Sequence, residues 1–397
     1  MITRLLTKED TPDAKKLWGY AFETDEPFYS WYFEEVFKPE NAIGIFQDDT
    51  LISYLQLNPY TLHLNGSSFE TSYVVGVITS PEYRNKGLMK DLLPKAIAEM
   101  NRRNHYISIL MPFDTTFYSR YGWALSYSQL KYTTPMDIVG HFSKGEKKGD
   151  FYKINLDKDF EALNQVYEVF LKNHHGYVKR NKKDWDYILK DLLYYGGHAC
   201  LLKDENNNPI GYILYFIKNG KFTAKEIAYT NYTAQKLIFS FIYSHKSQAT
   251  TTEWSTPYND LTHLFLRDTI QPAPTNRVNI YPFMCGRIIN FKKALEHSCF
   301  EVDIDFSFSI NIKDPHAPWN DGSFTVKISE GKASVQKVEL DQVDIYCDIH
   351  VLAQLFFGAI DIQQAAFLEK IKIYNPSICE NLSRIFYRKN NYINEFF

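Results

Sequence analysis

Cysteine is scarce: the 397-residue chain has five, at Cys200, Cys285, Cys299, Cys347 and Cys379, and no two form a C-x-x-C pair. That spacing argues against a zinc site and a disulfide framework, and buried reduced thiols are expected. An excess of charge of either sign is missing as well. Lys and Arg number 44 against 47 Asp and Glu, a net charge of −3, too balanced for a protein that selects its partner by bulk attraction to phosphate. Nucleic acid is therefore not an expected partner. No apolar run approaches the ~20 residues that span a bilayer, so no membrane partner is expected either. The opening MITRLLTKED has neither an apolar signal core nor a small-residue cleavage site, and a cytoplasmic location is expected. None of the 11 histidines forms an H-x-x-x-H pair and no nucleophile elbow is visible, so no metal is expected and no Ser-His-Asp chemistry.

Aromatic residues, in contrast, are plentiful at 16%, with 29 Tyr and 29 Phe, which favours large aromatic cores or pockets. The length corresponds to about two to three domains at roughly 150 residues each. The first stretch reads as a strand at Ile2 to Leu6 and a helix starting at Thr11-Pro12-Asp13. Short strands follow at Ile43 to Phe46, Leu51 to Leu57 and Tyr60 to Leu64, with turn chemistry at Asn58-Pro59 and Asn65-Gly66. An apolar strand ending in VVGVITS, a helix from about Gly87 to Asn101 and a second strand, YISILMPF, make a natural parallel pair. Pro94 should kink that helix. The segment Gly140 to Asp150 is rich in glycine and charge and is the best linker candidate. From Phe151 the order of elements loosely repeats, and Gln271-Pro272-Ala273-Pro274 marks a late loop. Beyond Arg287, Val302 to Ile312 alternate strictly with polar residues, as a half-buried strand does, before further strands and two helices. The expected fold is α+β (mixed α/β), in three parts: 1–145, 146–285 and 286–397.

The stretch that carries chemistry is Val75 to Met89, VGVITSPEYRNKGLM. A buried strand runs into a basic loop, and the loop opens directly into an amphipathic helix. Free N–H groups of the first helical turn carry partial positive charge, Arg84 and Lys86 add formal charge, and Gly87 lets the backbone approach closely. A pyrophosphate fits such a cradle. The G-x-G-x-x-G and G-x-x-x-x-G-K-[ST] fingerprints of other nucleotide sites are both missing.

This loop resembles the acetyl-coenzyme A site of the GNAT superfamily of N-acetyltransferases. Together with FYSRYGW at Phe117 to Trp123 and NEFF at Asn394 to Phe397, the chain resembles the Eis (enhanced intracellular survival) family over nearly its whole length. The resemblance implies two GNAT-like domains with mixed, partly parallel sheets, the second degenerate, followed by a sterol-carrier-protein-like domain, and a hexameric homo-oligomer. It implies backbone contacts from Val77, Ile78 and Thr79 to the pantetheine arm. Asn85, Lys86, Gly87, Leu88, Met89 and Lys90 would surround the pyrophosphate, with Arg84 beside them, and Phe113 and Asp114 would complete the cofactor contacts. Tyr118 would be the general acid and the carboxylate of Phe397 the general base.

The aromatic and acidic stretch Phe22 to Glu35 suits a cationic amine, and by the resemblance Asp25 and Trp31 are the candidate substrate contacts. Glu395 would add negative charge, although the family's glutamate directly precedes the terminal Phe, where this chain has Phe396. In the second domain the loop Thr230 to Gln235 lacks both Arg and Gly and is expected to bind no pyrophosphate. The expected activity is acetyl-CoA-dependent N-acetyl transfer to an aminoglycoside, a polyamine or a lysine side chain. The alternative is a non-catalytic carrier or sensor that holds an apolar ligand in the sterol-carrier-like domain.

Overall fold

The computed structural model describes residues 1–22, 24–142, 148–266 and 276–396. The expected division after residue 145 and the loop expected at 271–274 lie outside these residues. Strands β1 (Ile2–Leu5), β2 (Ala42–Gln47), β3 (Thr50–Leu64), β4 (Ser67–Thr79), β5 (Ile107–Leu110) and β6 (Ala124–Pro135) come first. They are followed by β7 (Gly149–Lys153), β8 (Tyr177–Val178), β9 (His198–Asp204), β10 (Pro209–Lys218), β11 (Lys221–Tyr229), β12 (Thr251–Pro257) and β13 (Arg277–Ile288). All thirteen join one sheet in the order β1-β2-β3-β4-β5-β13-β6-β12-β11-β10-β9-β7, with β8 on β3. A second, five-stranded sheet contains β14 (Phe306–Lys313), β15 (Gly322–Ser329), β16 (Lys332–Val338), β17 (Ile345–Asp348) and β18 (Ile371–Ile373). No helix of the described residues is long and apolar enough to cross a membrane.

Each half of the large sheet contains one strand–helix–strand unit of the kind that forces parallel pairing. In the first, β4 and β5 flank the helix Met89–Arg102 and pair in parallel from Thr71↔Ile107 to Val74↔Leu110. In the second, β11 and β12 flank the helix Tyr232–Ser244 and pair from Lys221↔Thr251 to Ala224↔Trp254. The halves are stitched together by exchange. β13, which comes late in the chain, lies between β5 and β6, while β6 runs on to pair with β12. The division expected after residue 285 falls inside β13. Leu92, Leu93, Ala96, Ile97 and Met100 form the buried face of the helix Met89–Arg102, which runs through Pro94.

Two local expectations are corrected. Asn58-Pro59 is not a turn, because β3 is a single strand and Pro59 pairs with Ser72. The other edge of β3 is paired with β2 up to Gln56 and with β8 from Leu62, so a residue lacking an N–H sits in the unpaired gap between them without losing a bond. The alternation at 301–305 does not form a strand either. β14 begins at Phe306, opposite Ile328, and the hairpin after β15 turns at Glu330-Gly331 (φ 52° and 75°), so the earlier residues have no neighbour to pair with. Val302 is 80% exposed there.

Candidate active site

The parallel pairing of β4 with β5 ends at Val74, yet β4 continues to Thr79. A bulge opposite Tyr54 to Gln56 bends it away, and Gly76 sits at φ 59° where a Cβ would lie 2.8 Å from the Trp18 ring. Only glycine fits both the backbone and the packing. The two strands thus diverge, and a cleft of about 690 Å³ opens between them. Val77, Ile78 and Thr79 form one wall and Phe113 the opposite one. Leu88, Met89 and Lys90 bring the first helical turn to its end, and no side chain caps that turn. Asn85 (φ 60°) and Gly87 (φ 77°) both adopt the left-handed conformation, which turns successive backbone groups within the loop. Arg84, Asn85 and Gly87 line the cleft. The Arg84 guanidinium lies 5.4 Å from the Tyr20 ring and its Nε 3.4 Å from the Thr79 carbonyl.

Of the described residues expected to bind the cofactor or catalyse, Lys86, Asp114 and Tyr118 are not among the lining residues. Lys86 lies over the Tyr83 ring at 4.6 Å. Asp114 caps the short helix Thr115–Ser119, accepting from the Thr116 amide at 2.8 Å. Sequence reasoning missed Tyr83, Phe117, Arg120 and Tyr121, which do line the cleft. Three of these neighbour or belong to FYSRYGW, and Arg120 in that motif was a legible third cation.

Tyr118 is carried by the Thr115–Ser119 helix and is 4% exposed. Its ring meets Phe113 and Phe117 edge-on, with centroids at 5.5 and 5.1 Å. Burial, with a smaller contribution from Cys285, pushes its hydroxyl well above the ordinary tyrosine range. It is therefore a protonated donor at neutral pH. Burial likewise pushes the Cys285 thiol up to about 12, so that sulfur is no nucleophile.

Phe397 lies outside the described residues, but the segment leading to it is held inside the molecule. Gln129 Nε2 donates to the Ile393 carbonyl at 2.8 Å and to Asn394 Oδ1 at 3.1 Å. Asn394 Nδ2 donates to Glu226 Oε2 at 2.8 Å and to the Lys225 carbonyl at 3.1 Å. Arg180 stacks between Tyr167 and Trp185, clasps both oxygens of Glu226 at 2.6 and 2.8 Å, and donates through Nε to Glu395 at 2.8 Å. Phe396 packs on Phe283 at 4.8 Å.

One buried cation thus faces two buried carboxylates. Burial opposes ionisation of Glu226, but Arg180 and the hydrogen bonds prevail and hold it low; for Glu395 burial prevails and raises it above 4.5. The two groups have opposite linkage. Glu226 stabilises the fold above its unfolded value and loses this as pH falls, whereas the contribution of Glu395 is complete below about 4.5 and lost as pH rises through its folded value. In Glu395→Gln, stability measured relative to the parent chain should therefore increase as pH is raised from 4 to 7. A constant difference in melting temperature across that range would show that Glu395 does not titrate above its ordinary value.

Comparison with known proteins is in keeping with this geometry. An acetyltransferase (GNAT) domain family matches residues 3–126, a second acetyltransferase (GNAT) domain family matches residues 176–288, and a sterol carrier protein domain family matches residues 291–394. The chain is a GNAT acyltransferase with two such domains and a sterol carrier protein domain. No curated protein sequence matches it. Among solved structures, a probable N-acyltransferase from Enterococcus faecalis aligns at 24% identity over 100% of this chain and 99% of its own, with a TM-score of 0.88. A GCN5-related N-acetyltransferase from Anabaena variabilis aligns at 19% identity over 100% of both chains (TM-score 0.84), and Eis1 from Mycobacterium abscessus at 14% over 100% of both (TM-score 0.77).

Within this Eis-like fold the second GNAT unit repeats the geometry of the first but not its chemistry. β11 also bulges, at Lys225, and a cavity of about 410 Å³ lies where β11 meets its helix. Thr230, Asn231 and Asp260 line it in place of cations, and Asn231 caps the helix by accepting from the Ala234 amide at 2.9 Å. An acid and a satisfied helix end disfavour a pyrophosphate. Of the two candidate substrate contacts, Asp25 is exposed. Trp31 is 6% exposed and packs on Tyr187 and Tyr194 of the second unit at 5.4 and 5.2 Å, with its indole N–H on Glu35.

Proposed function

We propose that this acyltransferase binds acetyl-CoA in the first-unit cleft and transfers its acetyl group directly to a primary amine in a ternary complex. The carrying observation is the cleft itself, where diverging β4 and β5 meet a basic loop and an uncapped helix end. Its wall leaves strand-edge groups for an extended amide chain, and its floor suits a diphosphate.

The chemistry requires two proton movements. An alkylamine with a pKa of ~10.4 must reach the thioester uncharged. The carboxylate of Phe397, taken from the family resemblance, accepts its proton as the nitrogen attacks the carbonyl carbon. When the C–S bond breaks, the departing thiolate takes a proton from Tyr118. A carboxylate of ordinary pKa, about 3.3 to 3.7, is a weak base in water; a dry setting such as the one around Glu395 strengthens it. The acceptor class is a cation, in keeping with acidic groups such as the exposed Asp25: an aminoglycoside, a polyamine or a lysine side chain.

Thiol release from acetyl-CoA with a panel of these amines tests the proposal. Release with at least one is expected; release with none would favour the carrier reading. In Arg84→Ala, the KM for acetyl-CoA should rise by about tenfold while kcat changes by less than about threefold, since a charge-assisted phosphate contact acts alike on ground and transition states. A fall in kcat at unchanged KM would remove Arg84 from the cofactor site.

A further inference from the structure

The sterol-carrier-like unit holds the turn that carries Tyr118. Between β14 and β15, the loop from Asp314 to Asp321 is tied to itself and to the end of β13. Asp314 accepts from Asn320 Nδ2 at 3.0 Å, and the Trp319 indole and Asn320 amide both donate to the Ile289 carbonyl, at 2.7 and 3.0 Å. Ala317 from this loop lies in the same apolar cluster as Tyr118, Tyr121 and Trp123.

The loop reaches the Tyr118 turn in two places. His316 Nε2 donates to the Arg120 carbonyl at 3.0 Å, and its ring lies tilted against Tyr121 with centroids 4.8 Å apart. Asp314 holds the fully buried Arg287 through both oxygens at 2.9 and 3.0 Å, which aims Arg287 Nε at the Tyr121 carbonyl, 2.7 Å away. Gly122 must be glycine for this approach: φ is 91°, and a Cβ would lie 2.9 Å from Arg287 Nε. The turn closes on Tyr118 itself, whose carbonyl accepts from the amides of Tyr121 and Trp123 at 3.0 and 3.2 Å.

We infer that this clamp makes His316, with the Arg287–Asp314 pair behind it, a positioning residue for the Tyr118 hydroxyl, so that the third unit sets the geometry of proton donation in the first. The inference rests on Tyr118 acting as general acid. A loosened turn moves the hydroxyl off the line of the departing sulfur, and displacements of this kind lower kcat.

His316 is half-buried and can be replaced without leaving the buried Arg287–Asp314 pair uncompensated. His316→Ala should lower kcat about tenfold and speed hydrogen exchange of the peptide 115–123. His316→Gln, whose side-chain amide still donates to the Arg120 carbonyl, should restore most of both. Combined with Tyr118→Phe, His316→Ala should cost nothing further, because no hydroxyl is left to position. An equal loss in both backgrounds would overturn the inference, as would unchanged kcat and exchange in His316→Ala. Full activity in Tyr118→Phe alone would instead refute the acid role, and the inference with it.

Discussion

Tyr118→Phe should lower kcat by about 10²- to 10⁴-fold, the range of a general acid, while the KM for acetyl-CoA stays within about threefold. Burial and Cys285 hold the hydroxyl well above the ordinary range. A thiolate leaving group cannot obtain a proton readily from a drier, weaker acid unless that acid is already aligned with it. The Thr115–Ser119 helix, capped by Asp114, and the ring contacts with Phe113 and Phe117 hold the Tyr118 ring in place, which is what such an alignment requires. Phenylalanine keeps the ring and its packing, so the melting temperature should hardly move. The pH profile is a second check. With burial raising the Tyr118 value, the alkaline limb of kcat should not fall through the ordinary tyrosine range near 10. Near-normal turnover in Tyr118→Phe would remove the acid from the mechanism and leave direct protonation by water as the remaining route.

The parts of this site that were legible in the sequence are those carried by local signals. A strand, a loop with Arg84 and Gly87 and a helix occupy fifteen consecutive residues, and each constrains the backbone of the next. The helical and strand periods of most elements were readable for the same reason. What could not be read is set by pairing between distant segments. β13 joins β5 and β6 across more than a hundred residues of chain, and nothing in Arg277–Ile288 names its neighbours. Asn58-Pro59 shows the same limit in miniature, since turn chemistry yields wherever only one edge of a strand is in use.

Charges behave likewise. Arg180, Glu226 and Glu395 each look like ordinary surface residues in a linear reading, and only the fold buries all three together. Glu395 was considered for its negative charge alone. In the structure its role is set by Arg180, whose clasp on Glu226 joins the segment before Phe397 to the second GNAT unit. In the second unit the carbonyl at the β11 bulge, on Lys225, is used to hold Asn394.

Deleting Phe397 tests the base proposed there. All the contacts described above hold residues 393–396, so removal of one further residue should leave the fold and the anchor intact. The new carboxylate would then sit on Phe396, one residue back along the chain, a shift of about 3.5 Å. That is more than the margin within which a general base works, because the acceptor must lie within roughly 2.6 to 3.2 Å of the atom it deprotonates or reach it through one water. The expected result is a fall in kcat of about 10²- to 10⁴-fold, with unchanged melting temperature and unchanged acetyl-CoA binding by calorimetry. Adding one glycine after Phe397 displaces the carboxylate in the opposite direction and should cost as much, whereas Phe397→Leu keeps both the carboxylate and an apolar side chain and should remain active. Turnover that survives both deletion and extension would place the base elsewhere, and Glu395, with its raised pKa and its hydrogen bonds from Arg180 Nε and the Asn394 amide, would be the next group to replace.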